Sequence, residues 1–182
     1  MSGHPEWTLG ALKQLYPHRY NSTRIDPAAW VAPGATVCGD VVVGADSSIW
    51  FNAVLRGDVN YIRVGSRTNI QDGSIVHVSY KASPCLIGND VTVGHGVILH
   101  ACTVRDFALI GMGTVVLDDA LIGEFALIGA GSLVTNKTVI PPRTKAFGRP
   151  AKVVADLTDE EIEKLRFSAA HYVKLSKTYL GA

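Results

Sequence analysis

At 182 residues, with 47% hydrophobic and 18% charged residues and 18 glycines, the chain is sized for one turn-rich globular domain with its own core. A formal net charge of +1 speaks against a nucleic-acid or membrane-surface partner, and the lack of any run of ~18 apolar residues speaks against a transmembrane helix. Met1-Ser2-Gly3-His4-Pro5-Glu6 has neither the basic nor the apolar region of a secretory leader, and Cys38, Cys85 and Cys102 lack metal-box spacing, so free thiols in a reducing cytoplasm are expected.

Residues 1–22 stand apart as an N-terminal extension, in which Trp7 to Tyr16 is expected to form a short helix or a lid over the first coil of the chain. From Ile25 a six-residue beat sets in. It runs through Ile25, Val31, Val37, Val43, Ile49 and Leu55, then Val64, Ile70 and Val76, then Ile87, Val93 and Leu99. Val104, Ile110, Val116, Ile122, Ile128, Val134 and Ile140 complete it. Four places after most of these comes a small residue, such as Ala53, Ser74, Val97, Thr114 or Ser132. A period of six suits neither an amphipathic helix nor an alternating hairpin. It suits a short strand and a tight turn repeated as the sides of a triangular coil, with the aliphatic residue inward and the small residue filling a corner. The expected fold is therefore all-β, a single-stranded parallel β-helix of hexapeptide repeats over residues 23–150.

The beat breaks three times: nine positions separate Leu55 from Val64, eleven separate Val76 from Ile87, and five separate Leu99 from Val104. All three breaks lie around His77, His95 and His100, and loops on a rigid scaffold are where function collects. The repeat ends at Ile140-Pro141-Pro142, and Gly148-Arg149-Pro150 leads the chain into a C-terminal unit, 151–182. From Leu157 onward a helix is expected, with Thr158 and Glu161 as its capping box and Ile162, Leu165, Ala169, Tyr172, Val173 and Tyr179 as the stripe that packs on the coil.

Three sides make one coil, so the residues following Leu55, Val76 and Leu99 form one outward column: Arg56, His77 and His100, with coils about 4.8 Å apart. Two places after Ile70 and Val93 come Asp72 and His95, on another side. One chain would struggle to close all three histidines on a metal; two copies do so if the first column of one meets the second column of the next. That docking also sets Arg56 against Asp72. A head-to-tail contact that closes gives a ring, and a triangular prism suits three copies. Three imidazoles and an open position describe a catalytic zinc site, which lowers the pKa of water to near 7 and so supplies a nucleophile. Gln71, beside Asp72, is placed to orient that nucleophile or a substrate. His4, His18 and His171 lack the geometry.

Arg56-Gly57-Asp58, Gln71-Asp72, His77, the run Gly94-His95 to His100, and Gly148-Arg149-Pro150-Ala151 closely resemble the gamma-class carbonic anhydrases and their relatives. The resemblance extends from Ile25 to Tyr179. It implies a left-handed β-helix, a homotrimer, and Zn2+ (alternatively Fe2+ or Co2+) held by His77 and His100 of one subunit and His95 of the next. The implied reaction is the hydration of carbon dioxide to bicarbonate. It further implies Gln71 at the nucleophile, Arg56, Asp58 and Asp72 as supports of the interface and site, and Tyr172 approaching from the helix. Two departures stand out. Val59 occupies the place of a glutamate in the prototype, and Ser79 to Pro84 replaces an acidic loop whose glutamate is thought to shuttle protons. Two other classes stay open: an acyl-CoA thioesterase or acyltransferase, which needs only one interface histidine, and a metal-binding trimer with little or no catalysis.

Overall fold

A computed structural model describes residues 22–80 and 82–180; the segment Trp7 to Tyr16 and Lys81 lie outside the described residues. The chain winds as a left-handed parallel β-helix followed by one helix, Asp159–Leu180. Most strands are two residues long, one inward and one outward, because each side of the triangle holds only six residues before the chain must turn.

Three faces result. The first carries Val54–Leu55, Ile75–His77, Ile98–His100, Val115–Val116 and Leu133–Val134 in parallel register. The second carries Arg63–Val64, Leu86–Ile87, Thr103–Val104, Leu121–Ile122 and Val139–Ile140. The third runs from Trp30–Val31 through Ser48–Ile49, Asn69–Ile70, Thr92–Val93, Leu109–Ile110 and Leu127–Ile128 to Thr144–Gly148. The long strands Thr36–Val43 and Val54–Val64 bend around a corner and join the first two faces.

The aliphatic beat forms the core. Ile49, Leu55, Ile70, Val76, Val93, Leu99, Ile110, Val116, Ile122, Ile128 and Val134 are completely buried, each stacked on its register partner in the next coil. The small positions Ala53, Ser74, Val97, Thr114 and Ala126 are buried at the corners, as their size requires. Ile25 differs: among the described residues its register partner is Val43 alone, and it is 38% exposed. Corners turn through left-handed backbone, at Gly73 and Gly96 on the edge between the third and first faces.

The helix lies along the third face, against the strands beginning at Trp30, Ser48, Asn69 and Thr92. Ile162, Leu165 and Ala169 are buried as the stripe predicts, while Tyr172 and Val173 are half-buried. At its far end Trp30, Trp50, Phe51, Tyr172 and Tyr179 interlock edge to face. At its start Lys145 pairs with Glu161 at 2.6 Å and Arg143 with Asp159 at 2.9 Å. The capping box is formed: the Glu161 N–H donates to Thr158 Oγ1 at 3.2 Å, and the Thr158 N–H donates to Glu161 Oε2 at 2.9 Å. Thr158→Ala is expected to destabilise the protein by about 1 kcal/mol in chemical denaturation, with Thr158→Ser close to wild type.

One element carries no six-residue signature. The first residues of the C-terminal unit, Ala151–Asp156, form a strand antiparallel to Thr144–Gly148 before the helix begins. The three cysteines are free thiols. Among the described residues, no helix is long and apolar enough to cross a membrane.

Candidate metal centre

His77 and His100 end two neighbouring strands of the first face. The alternation that buries Val76 and Leu99 turns Ile75, His77, Ile98 and His100 outward, and the pairing His77↔His100 is in register. Their rings stand 5.2 Å apart between centroids, with His77 Nδ1 3.2 Å from His100 Nε2.

Each ring's remaining nitrogen meets a carboxylate. His77 Nε2 is 3.0 Å from Asp58 Oδ1, and His100 Nδ1 is 2.6 Å from Asp118 Oδ1. An ionised carboxylate only accepts, so it takes the N–H of its histidine and assigns the tautomer. Both nitrogens across the 3.2 Å gap then carry lone pairs. Two facing lone pairs repel unless a proton or a metal ion lies between them, and the lowered His77 pKa disfavours the proton. Two imidazole nitrogens bound to one tetrahedral zinc at usual bond lengths lie roughly 3.3 Å apart, so this pair fits two corners of such a site.

The electrostatics agree with a neutral His77 ring. Burial, only partly opposed by the hydrogen bond to Asp58, pulls the His77 pKa below its ordinary value. Burial pushes the Asp58 carboxyl up, but its hydrogen bonds with His77 and Arg56 outweigh this and hold it below the usual range. Asp118 behaves alike: burial opposes ionisation, and hydrogen bonds from Ser79 and His100 prevail.

His95 lies elsewhere. It sits on the turn Gly94–Val97 that carries the chain from the third face to the first, ahead of His100 in the same coil. Its Nδ1 is 2.9 Å from Asp72 Oδ2, on the corner one coil below, and the side chain is 51% exposed. With Nδ1–H directed at Asp72, Nε2 is left as the ligand atom. Among the described residues, no three His, Cys, Asp or Glu side chains of the single chain converge as a metal-binding group. The structure thus joins His77, His100 and Asp58 in one cluster and His95 and Asp72 in another.

Gln71 and Tyr172 belong with the second cluster. A cavity of about 260 Å³ is lined by Gln71, His95, Met112, Ser168 and Tyr172, among others. Gln71 is buried, and its Nε2 donates to Asn69 Oδ1 at 3.0 Å. Asn69 is held in turn by donating to Thr92 Oγ1 at 3.1 Å. The carboxamide oxygen of Gln71 is therefore its free acceptor. Burial, with the Asp72 charge adding to it, pushes the Tyr172 hydroxyl pKa up and keeps it protonated. Arg56 and Asp72, expected to face each other between copies, have separate partners within one chain: Arg56 bonds Asp58, and Asp72 bonds His95.

Asp118 escapes the sequence reading. In strict register the column Arg56, His77, His100 continues to Leu117. Leu99 does pair with Val116, but Val104 pairs with Ile122, so the coil containing His100 is one residue shorter across this corner. That slip brings Asp118 to His100 Nδ1. The five-residue step from Leu99 to Val104 is the signal that could have found it.

No family model matches the chain. A carbonic anhydrase of Geobacillus kaustophilus is 50% identical to it over 165 residues, covering 91% of this chain and 90% of the relative. The mitochondrial gamma carbonic anhydrase 2 of Arabidopsis thaliana is 48% identical over 163 residues, 87% of this chain, and the chain spans only 59% of that relative's length. Among solved structures, a Bacillus cereus protein designated a candidate acetyltransferase superposes with a TM-score of 0.85 at 49% identity, over 86% of this chain and 91% of its own. By sequence identity across nearly the whole chain, and by the coil that carries it, the protein belongs to the gamma carbonic anhydrase family.

Proposed function

We propose that this protein hydrates carbon dioxide reversibly to bicarbonate at metal centres shared between subunits of a cyclic trimer. What carries this reading is the lone-pair gap of 3.2 Å between His77 and His100, each backed by its own carboxylate. The metal would be held by His77 and His100 of one subunit and by the neighbouring subunit's His95, with zinc first in expectation and iron or cobalt as alternatives. The chemistry such an ion supplies when bound is acidification of water to a pKa near 7, which yields a nucleophile at neutral pH.

The chain's own residues do the rest. Asp58, Asp118 and Asp72 each fix one imidazole in the tautomer that presents the opposite nitrogen. Gln71, its amide nitrogen committed to Asn69, accepts a hydrogen bond from the attacking group and so sets the direction of its lone pair. Tyr172 closes the helix side of the cavity as a neutral donor. Arg56 and Asp72 are the charges that meet across the contact. Ile75 and Ile98, 43% and 37% exposed on a face without a helix, flank the histidines and give the neighbour an apolar surface that excludes water. Proton export is the weak point, because Ser79 to Pro84 carries no carboxylate and both Asp58 and Asp118 are committed to ligand histidines. Slow turnover is the expected result.

The name of the Bacillus cereus relative favours a second reading, coenzyme A-dependent acyl transfer. It gives no role to a facing histidine pair. Metal analysis and stopped-flow hydration decide between them. Expected are about one ion per chain, one per interface of a closed ring, and hydration that a chelator abolishes and added zinc restores. Metal-free protein that turns over an acyl-CoA would establish the second reading. Metal-loaded protein without hydration would leave a metal-bound trimeric scaffold.

A further inference from the structure

We propose that Asp118 is the positioning residue of the metal centre: it locks the His100 ring for ligation and ties that ring to the excursion Ser79–Pro84. The proposal rests on the reading that His100 is a metal ligand, and it assigns a role to a residue outside the histidine column.

Asp118 uses both carboxylate oxygens. Oδ1 takes the His100 Nδ1–H at 2.6 Å, and Oδ2 takes the Ser79 hydroxyl. Ser79 is held from the other side, where Asn60 Nδ2 donates to its carbonyl at 3.2 Å. The carboxylate is therefore clamped before it orients the imidazole, which is what a ring free to rotate about its outer torsion requires. A half-turn of His100 would exchange Nε2 for a carbon at the metal position; the Asp118 contact removes that alternative. Asp58 does the same for His77 from the opposite side, with Arg56 on its other oxygen. The two rings are gripped from outside, and their lone pairs are left facing inward.

The neighbouring residue supplies an internal control. Asp119 takes the hydroxyl of Ser83 and so anchors the same excursion, but among the described residues it bonds no histidine. If Asp118 served only the loop, the two aspartates would be equivalent.

The test titrates the full-length protein with zinc against a chromophoric chelator and records the visible spectrum of the cobalt form. Asp118→Ala is expected to weaken zinc binding about 10- to 100-fold and to alter the cobalt bands, with Asp118→Asn in between and Asp119→Ala within about twofold of wild type. Asp118→Asn keeps the side chain's shape and an acceptor oxygen, so it carries the test if Asp118→Ala does not fold; wild-type affinity and spectrum in Asp118→Asn would then overturn the proposal. Equal losses in Asp118→Ala and Asp119→Ala would overturn it too, by reducing the role to loop anchoring. His100→Ala separates the two levels. Loss of metal there with none in Asp118→Ala overturns this proposal alone; wild-type affinity in His100→Ala overturns the metal reading with it.

Discussion

A His95→Ala chain and a His100→Ala chain, each inactive alone, are expected to regain about a quarter of wild-type hydration when co-produced, because one contact in four in a randomly mixed ring joins an intact His100 to an intact His95. The expectation comes from the two clusters. His77 and His100 face each other within one chain at 3.2 Å, and His95 stands on another corner, half-exposed and with Nδ1 committed to Asp72. A site closed inside one chain gives no recovery at any mixing ratio. The matched control exchanges His95→Ala for His77→Ala. Both defects then fall on the same half of the site, every contact has one ligand missing, and no activity returns. Recovery in the control, or none in the test pair, would sink the shared site. Metal content of the mixed protein should follow the same ratio, so the result does not depend on the hydration assay.

Ile110→Ala should be among the most destabilising single substitutions in the coil, costing about 2–5 kcal/mol in chemical denaturation. Ile110 is completely buried and stacks between Val93 and Ile128, so truncation leaves a void bounded by stiff strands with little freedom to close it. Val139, the outward member of its strand and 61% exposed, is the comparison: Val139→Ala should change stability by less than about 0.5 kcal/mol. Similar losses at the two positions would mean that the inward and outward assignments are wrong. Each coil rests on its neighbours, so a void in mid-stack weakens the coupling of the coils above to those below as well as one local contact.

The coil was legible because its signal is repeated. Any one aliphatic residue is ambiguous, but nineteen at a fixed beat admit one inward set, and the buried side chains from Ile49 to Ile140 follow it. The histidine column was legible for the same reason, since strict register between Val76 and Leu99 carries His77 onto His100. Where the beat slips, the reading slips too. Asp118 meets His100 only because the coil is a residue short at that corner, and a column extended by rule ends instead on Leu117. The excursion from Leu55 to Val64 hides Ile62, which is fully buried although it falls off the beat. The strand Ala151–Asp156 was illegible for a different reason: it is paired by a chain reversal, and an antiparallel partner needs no six-residue spacing. The proposed contact between copies would leave almost no local mark beyond charges and ligands that are incomplete in one chain.

That antiparallel strand bears on how one end of the coil is closed. The last turn of any β-solenoid displays the same row of amide and carbonyl groups by which every earlier turn recruited its successor, an open template for filament growth. Here the row on Thr144–Gly148 is taken by Ala151–Asp156 running the opposite way, and the edge that remains is irregular, with a register shift at Lys145/Ala146. A second molecule arriving with parallel strands finds the wrong polarity on that face. Six residues that read as a mere connection thus cap the last turn on one of its three faces, while Leu133–Val134 and Val139–Ile140 are the edge strands of the other two.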